Sequence, residues 1–474
     1  MNVYTPTKLT GLSLGPISFL LIFVLIPETE LADAPRIVLA VTAWTAVWWI
    51  TEAVPIPAAS LLPIILLPTF GGLDMEMTAK AYGDPIVFMY MGGFIIAIAI
   101  EKWDLHKRIP LHILKLIGTE SQRIVLGVML STACLSMWIS NAATALMMLP
   151  VALAVIKEVE EKRVLTGDSL QKFSKSILLA VAYAASIGGL ATLVGSVPNA
   201  VFAAMSRKLL HHEILFFEWF LFGFPVAVVF LLILYIYLTK IKFKVSDFAE
   251  KKSGFINRDL KELGTATNEE KWVFSVFLLT ACLWMFKFLL PFHISDSSIA
   301  ILGAVLLFIT PSTKDERILN WKDLERLPWG LLLLFGGGLS LASGFAETNL
   351  TGWIAGKLQL LEGHRYLFVL IFLTAAILFM TEIMSNTAVA NMVIPMSVGL
   401  GTALHVEPSG LMAAAALASS CAFMLPISTP PNAAVFSAQL LEMKDMIRAG
   451  FWLNITGIFM IVTSVYLWLP AVLQ

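Results

Sequence analysis

Ser136-Met137-Trp138-Ile139-Ser140-Asn141-Ala142-Ala143, running on to Pro150, is answered about 245 residues later by Thr381-Glu382-Ile383-Met384-Ser385-Asn386-Thr387-Ala388, running on to Pro395. Each stretch places a hydroxyl residue four positions before a Ser-Asn pair inside an otherwise apolar run. A second matched pair follows at a similar distance: Gly195-Ser196-Val197-Pro198-Asn199-Ala200 after the first, Ser428-Thr429-Pro430-Pro431-Asn432-Ala433 after the second. The chain therefore reads as a duplicated membrane unit with polar, interrupted segments at corresponding places. Such segments are the best sequence pointer to a transporter's binding site, because interrupted helices free backbone groups to hold substrate and ions.

Composition agrees. With 58% hydrophobic and 14% charged residues and a mean hydropathy of +0.83 over 474 residues, the chain is too apolar for a soluble fold and reads as an all-α polytopic membrane protein. Apolar runs lie at 11–27, 35–54, 56–69, 85–101, 173–194, 215–239, 272–291, 297–310, 329–346, 410–427 and 450–472, which gives about 11 transmembrane helices. Two further apolar regions, 110–156 and 366–403, are too long for one span and fold around the Ser-Asn pairs as two re-entrant hairpins. The N-terminus and residues 102–123, 157–176, 240–271, 311–327 and 441–449 hold 25 of the 32 Lys and Arg, which places them in the cytoplasm. The first hairpin then enters from inside and the second from outside, as an inverted repeat requires. The run after Lys8 reads as a first span rather than a cleaved signal, with the N-terminus inside.

Asn141 and Asn386 cannot lie unpaired in apolar surroundings, where a lone amide costs roughly 2 to 7 kcal/mol. Taken singly, each could be helix–helix glue; duplicated beside matched Gly, Ser and Pro breaks, they read as ligand-binding. Helix starts at the Ser-Asn pairs offer N–H groups and positive dipole ends to an anion. Hydroxyl, carboxamide and carbonyl oxygens suit a hard cation such as Na+. Pro198, Pro430 and Pro431 prevent a continuous helix through each break. Glu382 reads as a structural partner of a buried donor or, less simply, as a proton relay, and Met137 is its counterpart in the first repeat. Gly336-Gly337-Gly338 reads as a close-packing stretch.

Other chemistries find little support. Cys134, Cys282 and Cys421 stand alone and read as buried small hydrophobes. Gly11 to Gly15 matches G-x-S-x-G with no strand before it, and His211-His212-Glu213 lacks the second His of a zinc protease. The chain is read as no enzyme and as having no nucleic-acid partner.

At these motifs the chain resembles the divalent anion:sodium symporter (DASS) family. The likeness extends to Trp49-Ile50-Thr51-Glu52-Ala53-Val54-Pro55, to Gly188-Gly189-Leu190-Ala191-Thr192-Leu193-Val194-Gly195-Ser196 and to Cys421-Ala422-Phe423-Met424-Leu425-Pro426. It implies an elevator-type transporter of C4-dicarboxylates such as succinate, malate and fumarate, coupled to co-transported Na+, working as a homodimer in the cell membrane. It also implies one sodium site from Ser136, Ser140, Asn141 and Gly195, and another from Thr381, the Met384 carbonyl, Asn386 and the Ser428 carbonyl. The implied substrate contacts are Asn141, Ser196, Asn386, Thr387, Thr429 and Pro430. The domain plan that follows has scaffold helices 1–4 in 1–103, and the first hairpin and broken helix 5 of the transport domain in 104–212. Helix 6, a cytoplasmic linker and scaffold helices 7–9 fill 213–345, and the second hairpin, broken helix 10 and helix 11 of the transport domain fill 346–474.

The chain departs from the family pattern at the first tip, which reads Ser140-Asn141-Ala142 where a Thr usually stands, so a hydroxyl for one carboxylate is missing. Thr144, two residues along the helix, points elsewhere. Val197 replaces a frequent proline. A Na+-independent di- or tricarboxylate exchanger, a symporter for citrate or sulfate, and a passive anion channel remain as alternatives; an exchanger would be expected to put a cation at the motifs, where none stands, with His106 and Lys107 near the base of the first hairpin as candidates.

Overall fold

The computed structural model describes residues 5–118, 120–246, 258, 260–313, 316–357 and 365–473. The first half carries α1 (Pro6–Leu25), α2 (Asp33–Thr51), α3 (Ile56–Ala59), α4 (Leu62–Phe70), α5 (Met75–Tyr82), α6 (Pro85–Lys102), α7 (Leu105–Ile117), α8 (Ser121–Ser136), α9 (Asn141–Glu161), α10 (Gly167–Gly189) and α11 (Val197–Met205). The second carries α12 (Phe216–Ile236), α13 (Asn268–Phe286), α14 (Asp296–Ile309), α15 (Trp329–Glu347), α16 (Leu350–Lys357), α17 (Tyr366–Met380), α18 (Asn386–Ala403), α19 (Pro408–Ser419), α20 (Pro430–Phe436), α21 (Met443–Thr463) and α22 (Leu469–Val472). Eight helical segments among the described residues are long and apolar enough to cross a membrane.

Every apolar run of the sequence falls on helix, with 56–69 divided at Ser60-Leu61. The runs at 173–194 and 410–427 stop being helical at Gly189 and Ser419, where the polar breaks begin, and helix resumes at Val197-Pro198 and Pro430-Pro431. Proline belongs there, since the first turn of a helix has no use for its missing N–H. Each Ser-Asn pair sits at the short turn between two helices, α8 and α9 in the first repeat and α17 and α18 in the second. The helix pair that carries the first Ser-Asn does not begin where the apolar region 110–156 does. It starts at Ser121, because residues 105–117 form the separate amphipathic helix α7, which buries Leu105, Leu111 and Leu114 and packs on α8.

The helices that precede the breaks form the centre of the core. From Phe173 to Gly189 in α10, and from Gly410 to Ser419 in α19, every residue is buried. Both are rich in Ala, Gly and Ser, whose small side chains let neighbouring backbones approach closely. The two repeats interleave around them: α11 of the first packs against α18 and α19 of the second, and α20 of the second packs against α9 and α10 of the first. A separate apolar cluster joins α1, α2 and α4 to α15 and α16 through Phe19, Val38, Trp49, Leu67, Leu341 and Leu350.

Gly336-Gly337-Gly338 lies within α15, where a methyl on Gly337 would meet Ser60 Cβ at 3.0 Å and one on Gly338 would collide with the Asn391 amide. The triplet thus serves close packing. Only Cys421 is buried; Cys134 and Cys282 are exposed, contrary to expectation. They sit on outward faces of α8 and α13, and a bilayer protein keeps such faces apolar because lipid, not water, covers them.

Candidate functional site

In the first repeat, Ser140 caps α9 by accepting from Ala143 N at 3.3 Å, which leaves Asn141 as the first helical residue with its carboxamide turned back toward α8. Ser136, the last residue of α8, places its hydroxyl 2.7 Å from that carboxamide and donates to the Ala185 carbonyl at 2.6 Å. The same corner of Asn141 stands 3.1 Å from both the Ala185 and Gly195 carbonyls. With the amide nitrogen turned in, it donates to all three oxygens; with Oδ1 turned in, four oxygens converge. That second arrangement is the donor set of a hard cation. Glycine is required on both sides, because a methyl on Gly189 would overlap the Asn141 carboxamide and one on Gly195 would meet the Gly189 carbonyl at 2.7 Å.

The second repeat builds the same figure. Thr381 follows the last residue of α17 and donates to Asn386 Oδ1 at 2.7 Å and to the Ser419 carbonyl at 2.9 Å. Asn386 opens α18 as Asn141 opens α9. In both repeats, therefore, a hydroxyl at the end of one hairpin helix joins the Asn at the start of the other to a carbonyl in the last turn of the buried core helix.

The breaks are equally alike. Asn199 Nδ2 donates to the carbonyls of Gly189 at 2.9 Å and Thr192 at 2.8 Å; Asn432 Nδ2 donates to Ala422 at 3.1 Å and Leu425 at 3.0 Å, and also to Ser428 Oγ at 3.0 Å. Each Asn thus holds its irregular loop in shape from the helix that follows. Thr429 caps α20, accepting from Asn432 N at 3.3 Å. The breaks meet where Ser196 Oγ and Ser420 Oγ stand 2.7 Å apart.

Burial separates two kinds of position. Ser136, Thr381, Ser196, Thr387, Ser428 and Thr429 are buried, whereas Ser140, Asn141, Ala142, Met384, Ser385 and Asn386 are half-buried and Pro430 is exposed. Asn141 and Asn386 are thus more exposed than the hydroxyl residues that bond their carboxamides. The candidates fall into two groups, Ser136, Asn141 and Gly195 in one and Thr381 and Asn386 in the other. Ser428 is held beside Asn432. Thr144 is buried with its hydroxyl turned into the core, so it does not substitute for the side chain missing at Ala142.

Several participants escaped sequence reasoning. The carbonyls of Ala185 and Ser419 could not be found, since every residue carries one. Tyr90 in α6 donates to the carbonyls of Leu193 at 2.5 Å and Ser196 at 2.7 Å, and Trp219 in α12 donates to Leu190 at 3.1 Å. Their signal was an aromatic polar tip inside an apolar helix, which usually has a partner. Glu382 is 3% exposed and accepts from Phe423 N, Met424 N and Leu425 N at 2.8 to 3.1 Å and from Asn454 Nδ2 at 2.7 Å. It is the structural partner of buried donors.

Residues 7–474 match the family described as the sodium:sulfate symporter transmembrane region. The chain is 43% identical to the sodium-dependent dicarboxylate transporter SdcS of Staphylococcus saprophyticus, over 99% of this chain and 93% of that one. It is 42% identical to SdcS of Staphylococcus aureus with the same coverage. Among solved structures, the Alcanivorax borkumensis YdaH transporter superposes with a TM-score of 0.57 over 92% of this chain and 98% of that one, at 11% identity. Neisseria gonorrhoeae MtrF does so with a TM-score of 0.56 over 85% and 84%, at 13% identity. These last two likenesses bear on the fold alone, an all-helical inverted-repeat architecture. Across its length, the chain belongs to the sodium:sulfate symporter transmembrane family, whose members are membrane transporters and not enzymes.

Proposed function

We propose that the protein couples Na+ entry to the uptake of C4-dicarboxylates. The observation that carries this reading is the repeated figure of hydroxyl, carboxamide and core-helix carbonyl, Ser136–Asn141–Ala185 and Thr381–Asn386–Ser419. Two such oxygen clusters, one per repeat, suit two Na+ ions carried as substrates. Ser140 and Gly195 complete the first site, and the Met384 and Ser428 carbonyls complete the second. A dianion between Asn141 and Asn386, touching Ser196, Thr387, Thr429 and Pro430, then meets the N-termini of α9 and α18 together with the two cations. Its two negative charges are offset without Lys or Arg. Na+ and substrate favour each other by the same factor in both directions, so Na+ orders the tips and the dianion binds to the ordered form.

The hairpins enter the membrane from opposite sides, with the N-terminus in the cytoplasm of the cell that holds the protein in its plasma membrane. Residues 104–212 and 346–474 move as a transport domain past a scaffold built from 1–103 and the helices of 213–345 that follow the linker, in an elevator motion, within a homodimer. Contacts that such motion would remake include the ion pair between half-buried Arg207 and buried Asp84 and the bonds from Lys208 to Ser343 Oγ and, at 3.0 Å, to the Leu339 carbonyl. Na+-driven symport is favoured over exchange because Lys107, near the base of the first hairpin, is exposed and paired with Asp104 at 2.8 Å, and Arg123 within α8 is paired with Glu120 at 3.0 Å.

Radiolabelled succinate uptake into proteoliposomes tests the reading. Concentrative uptake requires an inward Na+ gradient, and K+ does not replace it. Asn141→Ala and Asn386→Ala abolish uptake while leaving folded protein in the membrane. Normal transport by either variant would remove the proposed site, and uptake driven by internal dicarboxylate without Na+ would make the protein an exchanger.

A further inference from the structure

Neither Thr192 nor Glu382 belongs to the cation or substrate contacts proposed above, yet each ties a hairpin tip to the break that faces it. In the second repeat the tie is a carboxylate. Glu382 Oε1 accepts from Phe423 N at 2.8 Å, Met424 N at 2.9 Å and Asn454 Nδ2 at 2.7 Å, and Oε2 accepts from Met424 N and Leu425 N at 3.1 Å each. Its lone pairs are occupied by donors that do not titrate, which leaves no acceptor free for a travelling proton.

In the first repeat the corresponding position is Met137, whose thioether cannot play that part. Its backbone does so instead: the Met137 carbonyl accepts the Thr192 hydroxyl, and Thr192 Oγ1 accepts from Gly195 N at 3.0 Å. Both ties lead on to the proposed cation ligands. From Thr192 the path reaches Gly195 in one bond. From Glu382 it runs through Leu425, whose carbonyl accepts from Ser428 N at 3.2 Å and Ser428 Oγ at 2.7 Å.

We infer that Thr192 and Glu382 are paired positioning residues that set the Na+ affinity of the two sites, one with a neutral hydroxyl and the other with a charged carboxylate. Only the second clamp reaches the last long helix, through Asn454 in α21, which is fully buried. The two sites are therefore alike in their ligands and unlike in what holds them. The inference rests on the proposed cation sites, and the variants are chosen so that the two can fail separately.

Thr192→Val keeps the shape and removes the hydroxyl; Thr192→Ser restores it. Glu382→Gln keeps the volume but turns an amide NH2 toward the N–H groups of Met424 and Leu425. The measurement is the Na+ half-saturation of succinate uptake in proteoliposomes, together with the maximal rate at saturating Na+. Thr192→Val raises the half-saturation roughly fivefold, the factor that one neutral hydrogen bond is worth, with little change in maximal rate, and Thr192→Ser returns it to the parent value. Glu382→Gln raises it more than tenfold, on the order expected when charge-assisted bonds are lost. Asn454→Leu, which removes one donor to Glu382, follows the same direction and carries the second clamp if Glu382→Gln does not accumulate.

Ser136→Ala is run beside them as a change to a proposed ligand. A shift for Ser136→Ala with none for Thr192→Val and Asn454→Leu overturns the clamps and leaves the cation sites standing. No shift for Ser136→Ala overturns the cation site itself. Loss of folded protein in Thr192→Val and Asn454→Leu, with Thr192→Ser failing to restore it, reduces the ties to structural contacts and overturns the inference.

Discussion

Gly189→Ala is the sharpest probe of the first cation site, because it adds one methyl at the closest approach between core helix and hairpin tip. The new Cβ would overlap Asn141 Oδ1 and lie 3.0 Å from Asn141 Nδ2 and from the Gly195 carbonyl. Those contacts are too close, so the carboxamide must swing away from Ser136 Oγ, now at 2.7 Å, or the α10 backbone must retreat. Overpacking of this kind costs about 1 to 3 kcal/mol. Spent on the geometry that Na+ requires, it corresponds to roughly 5- to 150-fold in Na+ half-saturation, at about 1.4 kcal/mol per decade. Gly93→Ala is the control. Gly93 lies opposite the same break, but its added methyl would meet only Val194, at 3.6 Å or more, and ordinary packing should leave Na+ dependence unchanged. Na+ titration of succinate uptake in proteoliposomes, with membrane-inserted protein quantified, separates the two. Unchanged Na+ dependence in Gly189→Ala, or an equal shift in Gly93→Ala, would refute the argument that the tightness of this contact places Asn141.

Two further outcomes follow from other contacts. Tyr90→Phe removes the hydroxyl that donates to the Leu193 and Ser196 carbonyls and leaves both buried without it, a cost of about 1 to 3 kcal/mol. The KM for dicarboxylate should rise while maximal rate changes less, and an unchanged KM would separate Tyr90 from the shape of the Ser196 loop. Lys208→Met removes the bonds from the amine to Ser343 Oγ and to the Leu339 carbonyl, and hydrogen bonds from a charged group are worth about 1.5 to 3 kcal/mol. The variant should unfold at a lower temperature than the parent; an unchanged unfolding temperature would contradict this.

The parts legible in the sequence were those where polarity and surroundings conflict. Ser136, Asn141, Thr381 and Asn386 stand out in apolar runs, and their duplication marks the two places where a hydroxyl at one helix end meets the Asn that opens the next helix. Glu382 was recognisable as partnered, because a carboxylate among apolar residues must be, although its donors were not. They are the N–H groups of Phe423 to Leu425, groups every residue carries, and Asn454, which lies 72 residues away. The α7 boundary was missed because an amphipathic helix that buries Leu111 and Leu114 merges, in sequence, with the apolar hairpin after it. The exposed Cys134 and Cys282 were missed for a related reason: apolar character does not tell core from lipid-facing surface in a chain where both are apolar.

The interleaving of the repeats bears on how the protein is made. Ser196 and Ser420 touch across 224 residues of chain, α9 packs on α20 as well as on its own neighbours α8 and α10, and α11 packs on α18 and α19. During synthesis α8 and α9 are made long before the helices of the second half that cover them. Their Ser-Asn tip, costly to leave bare in lipid, must wait beside water, lipid headgroups or a chaperone until the second half arrives. The proposed binding site is thus the last region to assemble. A chain stopped after α12 should insert normally yet hold no site, and variants that weaken the contact between halves should lose Na+ binding before they lose their helices.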